Sequence, residues 1–258
     1  MNQDSFSNVE RQQKILEFLN RQQRISVIDM CKMFSISEAT ARRDLEVLTE
    51  QNHLQRVHGG AISLKEAPPE LPILQRESTE SDEKKRIGLA AASMVNDGET
   101  IFLGSGTTVL EAARALREHK GLTVVSNSLP VLNTLSGLPD ITVVALGGVL
   151  RTSELSFIGH ITEQALAEVR ADKVLIGVHA INLEHGLTND YLPETMTDRA
   201  ILKSGREVIV LADHTKMNTV STAFLAPITS IHKLITDQNA AEDFLEAVKL
   251  QGVEVVLV

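Results

Sequence analysis

The chain has 258 residues, 43% of them apolar, a length and composition that fit two domains each with its own core. Its formal net charge of −9 argues against a protein that coats nucleic acid by bulk attraction, and its single cysteine, Cys31, excludes an internal disulfide framework. No run of roughly eighteen apolar residues is present to span a membrane, and "MNQDSFSNVERQQ" lacks the layout of a secretory signal, so the expected compartment is the cytoplasm.

The charge is unevenly placed. Residues 1–62 hold eight Lys/Arg and eight Asp/Glu; the totals of 25 and 34 leave 17 against 26 for the remainder, which carries the whole excess. Between Gln51 and Lys65 stand Arg56, Lys65 and two histidines, with no acid. The N-terminal part is therefore locally basic.

Apolar spacing predicts an amphipathic helix over Val9–Leu19, with Val9, Ile15, Leu16 and Leu19 on or near one stripe. Ser26 is a candidate N-cap for a short second helix carrying Ile28, Met30, Cys31 and Phe34. Ser35 and Ile36 form a tight turn, and Ser37 caps a third helix from Glu38 to about Gln51. "HLQRVHGGAISL" reads as two strands joined at Gly59-Gly60. Three helices and a hairpin in this order are the layout of a winged helix-turn-helix.

At about 100° per residue, Ala41, Leu45 and Leu48 share one face of the third helix, while Arg43 lies roughly 200° from Ala41. Ala39 and Glu46 lie near Arg43, and Arg42 and Thr40 flank that outer face. Two arginines on a helix are as compatible with a solvated face as with a groove. The tight turn before them and the basic hairpin after them favour the groove. There an arginine bonds guanine through two N–H groups and Thr40 reaches a phosphate, while Arg56 and His58 contact the backbone or minor groove. Asp44 is expected to hold either Arg43 or Arg24.

"RQQKILEFL", "ISVIDMCKMFSISEATARRDLEVL" and "LQRVHGGA" together resemble the N-terminal signature of the DeoR family of bacterial transcriptional regulators. The resemblance rests on the serine-initiated recognition helix, the Arg-Arg-Asp-Leu run and the His-Gly-Gly-Ala wing, and it continues through most of the chain. It implies operator DNA as a partner, with DNA contacts from Ser37, Ala39, Thr40, Arg42, Arg43, Arg56 and His58. A palindromic operator requires at least a dimer, and a homodimer or homotetramer is expected.

Residues 8–62 are thus read as the DNA-binding domain and 63–82, with three prolines, as a linker. In 83–258 short apolar runs alternate with helical ones: "TIFLG", "LTVVS", "ITVVALGG", "KVLIGV", "EVIVLAD", "KLITD" and "VEVVLV". This pattern predicts an α/β domain with a mostly parallel sheet covered on both faces.

Ligands of such sheets sit beyond the carboxyl ends of the strands. "GSGTT", Gly104, Ser105, Gly106, Thr107 and Thr108, opens a helix there, where free amides favour an anion. No lysine follows, so this is not a nucleotide-triphosphate loop. By itself the run is equally an ordinary strand-to-helix turn. Ser126 and Asn127, Gly147 and Gly148, and "DHTK", with Asp213 and Lys216, stand at further strand ends. His160, His179, His185 and His214 show no zinc spacing, and neither a metal nor a cofactor is expected.

The family resemblance implies a sensor domain similar in fold to ribose-5-phosphate isomerases, with a phosphorylated sugar as effector. It adds Glu194 to the effector-binding set, with Arg199 beside it. Two departures fall near the expected pocket: "GVHAIN" has His179 and Ala180 where the family often has Asp and Gly, and Asp198 replaces a common lysine. An isomerase-like enzyme is the alternative. It needs a carboxylate base, and Glu194 is the one credible candidate. The expectation is therefore a repressor of a carbohydrate-catabolism operon, without catalytic residues.

Overall fold

The computed structural model describes residues 7–22, 24–51, 54–57, 59–63 and 65–258. The chain divides into two units, Met1–Glu66 and Ala67–Val258.

The first unit is a winged helix. A helix spans Asn8–Gln22 with Ile15 and Leu19 buried on one stripe, while Val9 is exposed. Ser26 caps the helix Val27–Phe34 by accepting the Asp29 N–H at 3.0 Å, and Ser35 ends it in the left-handed region. Ser37 caps the helix Glu38–Glu50, where Ala41, Leu45 and Leu48 are buried as their spacing requires. The strands Leu54–Val57 and Gly60–Ser63 form the expected hairpin. A third strand, Arg24–Ser26, pairs antiparallel with Gly60–Ser63. Its three residues are too few for an alternating pattern to show in sequence.

Asp44 departs from one of the two expectations: among the described residues it is not bonded to Arg43, and the Arg24 side chain lies outside them. Asp44 is buried at the base of the third helix and accepts from Arg11 Nε at 2.6 Å and Nη2 at 3.1 Å. About 100° round the helix from Arg43 and about 160° from Arg42 and Glu46, it points back to the first helix. Sequence separation hid the pair, because the partners are 33 positions apart.

The second unit holds a seven-stranded parallel sheet in the order Glu254–Leu257, Lys233–Thr236, Gly205–Leu211, Ala171–Ile176, Thr100–Leu103, Leu122–Ser126, Ile141–Ala145. All seven apolar runs contribute a strand. Alternate residues build two cores. Ile101 and Leu103 pack with Ile87 and Ala91 of the helix Ser81–Ser93 and with Val109 of the helix Thr107–Ala115. Phe102, Val174 and Val210 pack with Ile201 and Phe244 on the other side. Burial on both faces explains the near-continuous apolar runs.

Residues 67–82 are not an independent linker but part of this unit. Ile73, in a single helical turn Ile73–Arg76, is 1% exposed, and its N–H donates to the Ser153 carbonyl at 2.8 Å. Two further elements escape the alternating pattern. They are the hairpin Val149–Arg151 with Ser156–Ile158, and the antiparallel group Ala180–Asn182, Gly186–Asn189 and Ala223–Ala226.

Candidate functional site

On the third helix the groove-facing set is exposed: Ala39, Arg42, Arg43 and Glu46 face solvent. Thr40 is half-buried, its N–H donated to Ser37 Oγ at 3.2 Å and its hydroxyl 2.9 Å from the same oxygen. This cap occupies Thr40 within the protein and fixes the start of the helix. Arg42 pairs loosely with Glu38 at 3.3 Å, and Arg43 makes no ion pair among the described residues. Arg56 donates Nη1 to the Arg42 carbonyl at 3.1 Å, tying the wing to the helix. His58 lies outside the described residues. The helix therefore offers one unpaired and one weakly paired guanidinium beside a small side chain, which suits a major groove.

The second candidate is a cavity of ≈ 120 Å³ in the C-terminal unit. It sits where the central strands Thr100–Leu103 and Ala171–Ile176 end side by side. The chain from the first runs outward to one half of the sheet, and the second begins the other half. Such a switch point leaves a crevice between diverging connections.

Gly104, Ser105, Gly106, Thr107 and Thr108 line it, as do Glu194, Asp213 and Lys216. Gly106 has φ +112°, a region that disfavours side chains, and it precedes the helix Thr107–Ala115 without any side-chain cap. The first amides of that helix are left for an anion. Asp213 accepts from the Thr215 N–H at 3.0 Å and so shapes the turn that carries Lys216.

Four expected residues do not line the cavity: Ser126, Asn127, Gly147 and Gly148. They follow strands one and two places from the switch point, where the Val149–Ile158 hairpin packs instead. Ser126 donates to the Leu103 carbonyl at 2.7 Å and Asn127 Nδ2 to the Phe157 carbonyl at 3.0 Å. The Gly147 carbonyl accepts from Thr162 Oγ1 at 2.8 Å, and a Cβ on Gly148 would stand 2.2 Å from that same oxygen. Arg199 is also outside; it donates to the Leu225 and Phe224 carbonyls. Glu194 and Asp198, four residues apart, share the inner helix face, and Arg199 lies about 100° round from Asp198.

The cavity gains walls that sequence reasoning missed. Arg76 donates to Glu70 at 2.5 Å and to both oxygens of Glu154 at 2.5 Å. Arg151 bonds Glu194 and also Asp190 at 3.3 Å, with its guanidinium 4.5 Å over the Tyr191 ring. Lys84, 6% exposed, donates to the Arg76 and Thr79 carbonyls. A buried lysine on "SDEKKRIG" was a signal in principle, but three adjacent basic residues give no hint which one turns inward.

Electrostatics here is tightly linked. Burial lowers the Lys84 ammonium, with Lys216 and Arg76 adding repulsion and Asp213 opposing it. Three cations therefore converge near the Gly-Ser-Gly turn. Burial and the Glu70 charge push Glu154 up to about 7 against the pull of Arg76. Burial works against Glu70 as well, but His179 and Arg76 outweigh it and hold that carboxyl at about 2. A raised folded-state value means that the folded chain binds the extra proton. Glu154 thus favours folding most below about pH 4.5 and loses that advantage as pH rises to 7. Glu154→Gln is expected to flatten the fall in melting temperature between these pH values, measured by calorimetry. A fall of unchanged steepness would assign it to another group.

Glu194, considered as a base, is bonded to Arg151 and accepts from Ser156 Oγ at 2.9 Å. These contacts engage both its oxygens and suit a fixed wall. Among the described residues no group of three or more His, Cys, Asp or Glu is placed to hold a metal, and no helix is long and apolar enough to cross a membrane.

Residues 11–67 match the DeoR-like helix-turn-helix domain and residues 79–238 the DeoR C terminal sensor domain. Among curated proteins, the HTH-type transcriptional repressor GlcR of Bacillus subtilis (strain 168) is 35% identical over 96% of this chain and 95% of its own. The glycerol-3-phosphate regulon repressor of Escherichia coli (strain K12) is 33% identical over 88% of this chain and 90% of its own. Among solved structures, ribose 5-phosphate isomerase A from Methanocaldococcus jannaschii overlaps 54% of this chain and 55% of its own, with TM-score 0.40 and 18% identity. With both family domains present in order and relatives aligned nearly end to end, the chain belongs to the DeoR family of helix-turn-helix transcriptional regulators.

Proposed function

We propose that this regulator represses a carbohydrate-catabolism operon and leaves its operator when a phosphorylated sugar fills the C-terminal cavity. The observation that carries the effector reading is the uncapped helix start at Gly106–Thr107 facing the same cavity as Lys84 and Lys216. Unlike Arg76 and Arg151, neither lysine forms an ion pair with a carboxylate among the described residues. A phosphate supplies the anion that backbone amides and two ammonium groups without a carboxylate partner lack. The name of the glycerol-3-phosphate relative supports a phosphorylated effector.

Arg42 and Arg43 read the major groove, with Ser37, Ala39 and Thr40 setting the approach and Arg56 and His58 on the wing. A homodimer or homotetramer places two such helices on half-sites about 34–36 Å apart or a multiple of that. Release follows if the ligand binds the DNA-free form more tightly, because the two affinities are linked.

Fluorescence anisotropy on the DNA upstream of the chain's own gene, with a panel of phosphorylated sugars, tests both halves. Wild type is expected to bind in a salt-sensitive manner and to be released by one compound. Arg43→Ala is expected to lose about 1–3 kcal/mol of specific affinity, roughly 5- to 150-fold, with its ligand response intact. Operator binding that survives Arg43→Ala, or that no phosphorylated sugar disturbs, would overturn the corresponding half.

A further inference from the structure

The cavity as a whole has the wrong charge for an effector that is only anionic. Seven carboxylates line the cavity against four Lys/Arg, with His179 a fifth cation when protonated. Arg151 is already divided between Glu194 and Asp190. Asp198 has one partner among the described residues, the Asn189 Nδ2 donor at 2.5 Å, and no cation. His179 is 5% exposed, lines the same cavity, and leaves both ring nitrogens without a hydrogen bond although Glu70 stands 3.5 Å from Nδ1. A carboxylate without a cationic partner, in a cavity whose buried imidazole has only the distant Glu70 oxygen near it, marks a place completed by a ligand.

Resting on the phosphorylated-sugar reading above, we propose that the effector is an amino sugar phosphate, its phosphate at Gly104–Thr108 with Lys84 and Lys216 and its protonated amine on Asp198. A hydroxyl bonds a carboxylate equally well in geometry but leaves the charge deficit that the phosphate deepens. An ammonium group removes it and forms a charge-assisted bond. The groups facing Asp198 are Glu194 and Glu70, which repel its charge, and Arg151, which opposes them; burial outweighs these and holds the carboxyl well above the usual carboxylate range. Seating an ammonium there ionises Asp198 and releases its proton, so affinity rises with pH.

The test is calorimetric titration of the full chain with 2-amino-hexose 6-phosphates, each beside its parent hexose 6-phosphate, and with inorganic phosphate. One amino compound is expected to bind about 10- to 100-fold tighter than its parent, the range of one charge-assisted bond. Its measured heat in two buffers of different ionisation enthalpy is expected to show proton release. Asp198→Asn is expected to erase the preference while binding of the parent compound and of inorganic phosphate persists, which certifies the fold. Parents that bind as tightly as their amino partners, or an Asp198→Asn chain that keeps the preference, overturn the amine and leave the phosphorylated-sugar reading standing. Failure of every sugar phosphate and of phosphate to bind overturns both.

Discussion

Asp44→Ala is expected to unfold the N-terminal unit and abolish operator binding while the C-terminal cavity still takes its ligand. Arg11 and Asp44 are both almost fully enclosed, and removing the acid takes away the carboxylate that two of the buried guanidinium's bonds reach. Breaking such a pair from one side destabilises by roughly 3–5 kcal/mol. A unit of about sixty residues has little to spare, since small domains sit at the low end of folding stability. Calorimetry is expected to show the N-terminal transition lost and the C-terminal one unchanged, and anisotropy no DNA binding. Replacing both partners by apolar residues, Arg11→Met with Asp44→Leu, is expected to restore most of the stability, because no lone charge remains. An Asp44→Ala chain that melts like wild type yet ignores DNA would move Asp44 from scaffold to DNA contact.

The second large effect is expected from Arg76→Met, with a distinctive dependence on pH. Arg76 serves Glu70 and Glu154 together, so its loss leaves two buried carboxylates facing one another. At neutral pH and above this destabilises the C-terminal unit by about 3–5 kcal/mol. Glu70, now held at about 2, is stabilising above about pH 4.5 in wild type and loses that contribution as pH falls towards 2. Without Arg76 its carboxyl rises, and protonation relieves the repulsion. The deficit in melting temperature is therefore expected to be largest near pH 8 and to shrink towards pH 5. A deficit independent of pH would mean that the side chain matters through packing alone.

Much of this molecule was legible in its residues, and the illegible parts share a cause. Each strand of the parallel sheet is a self-contained apolar run, and the second and third N-terminal helices each carry their own stripe and serine cap. Local pattern suffices for such elements. The Gly-Ser-Gly turn was legible for the same reason: one contiguous segment supplies the glycines, the hydroxyls and the helix start. The walls opposite it were not. Arg76 meets Glu154 across 78 residues and Arg151 meets Glu194 across 43, through short antiparallel pieces that leave no periodic trace. Ser126, Asn127, Gly147 and Gly148 show the converse error. Their position after a strand was read correctly, but which strand ends flank the switch point depends on strand order, and that is a property of pairing.

Strand order also sets when the cavity comes into being. The strand Thr100–Leu103 pairs with Leu122–Ser126 soon after both are made, but its other neighbour, Ala171–Ile176, lies about seventy residues further along the chain. Pairings of such span are slow, because loop closure precedes any compensating contact. The N-terminal unit, by contrast, completes its core within its own first sixty-odd residues. During synthesis, which proceeds from the N-terminus at about 5–20 residues per second, the winged helix precedes the cavity. Each newly made copy therefore passes through an interval in which its helix-turn-helix unit is folded and its cavity is not.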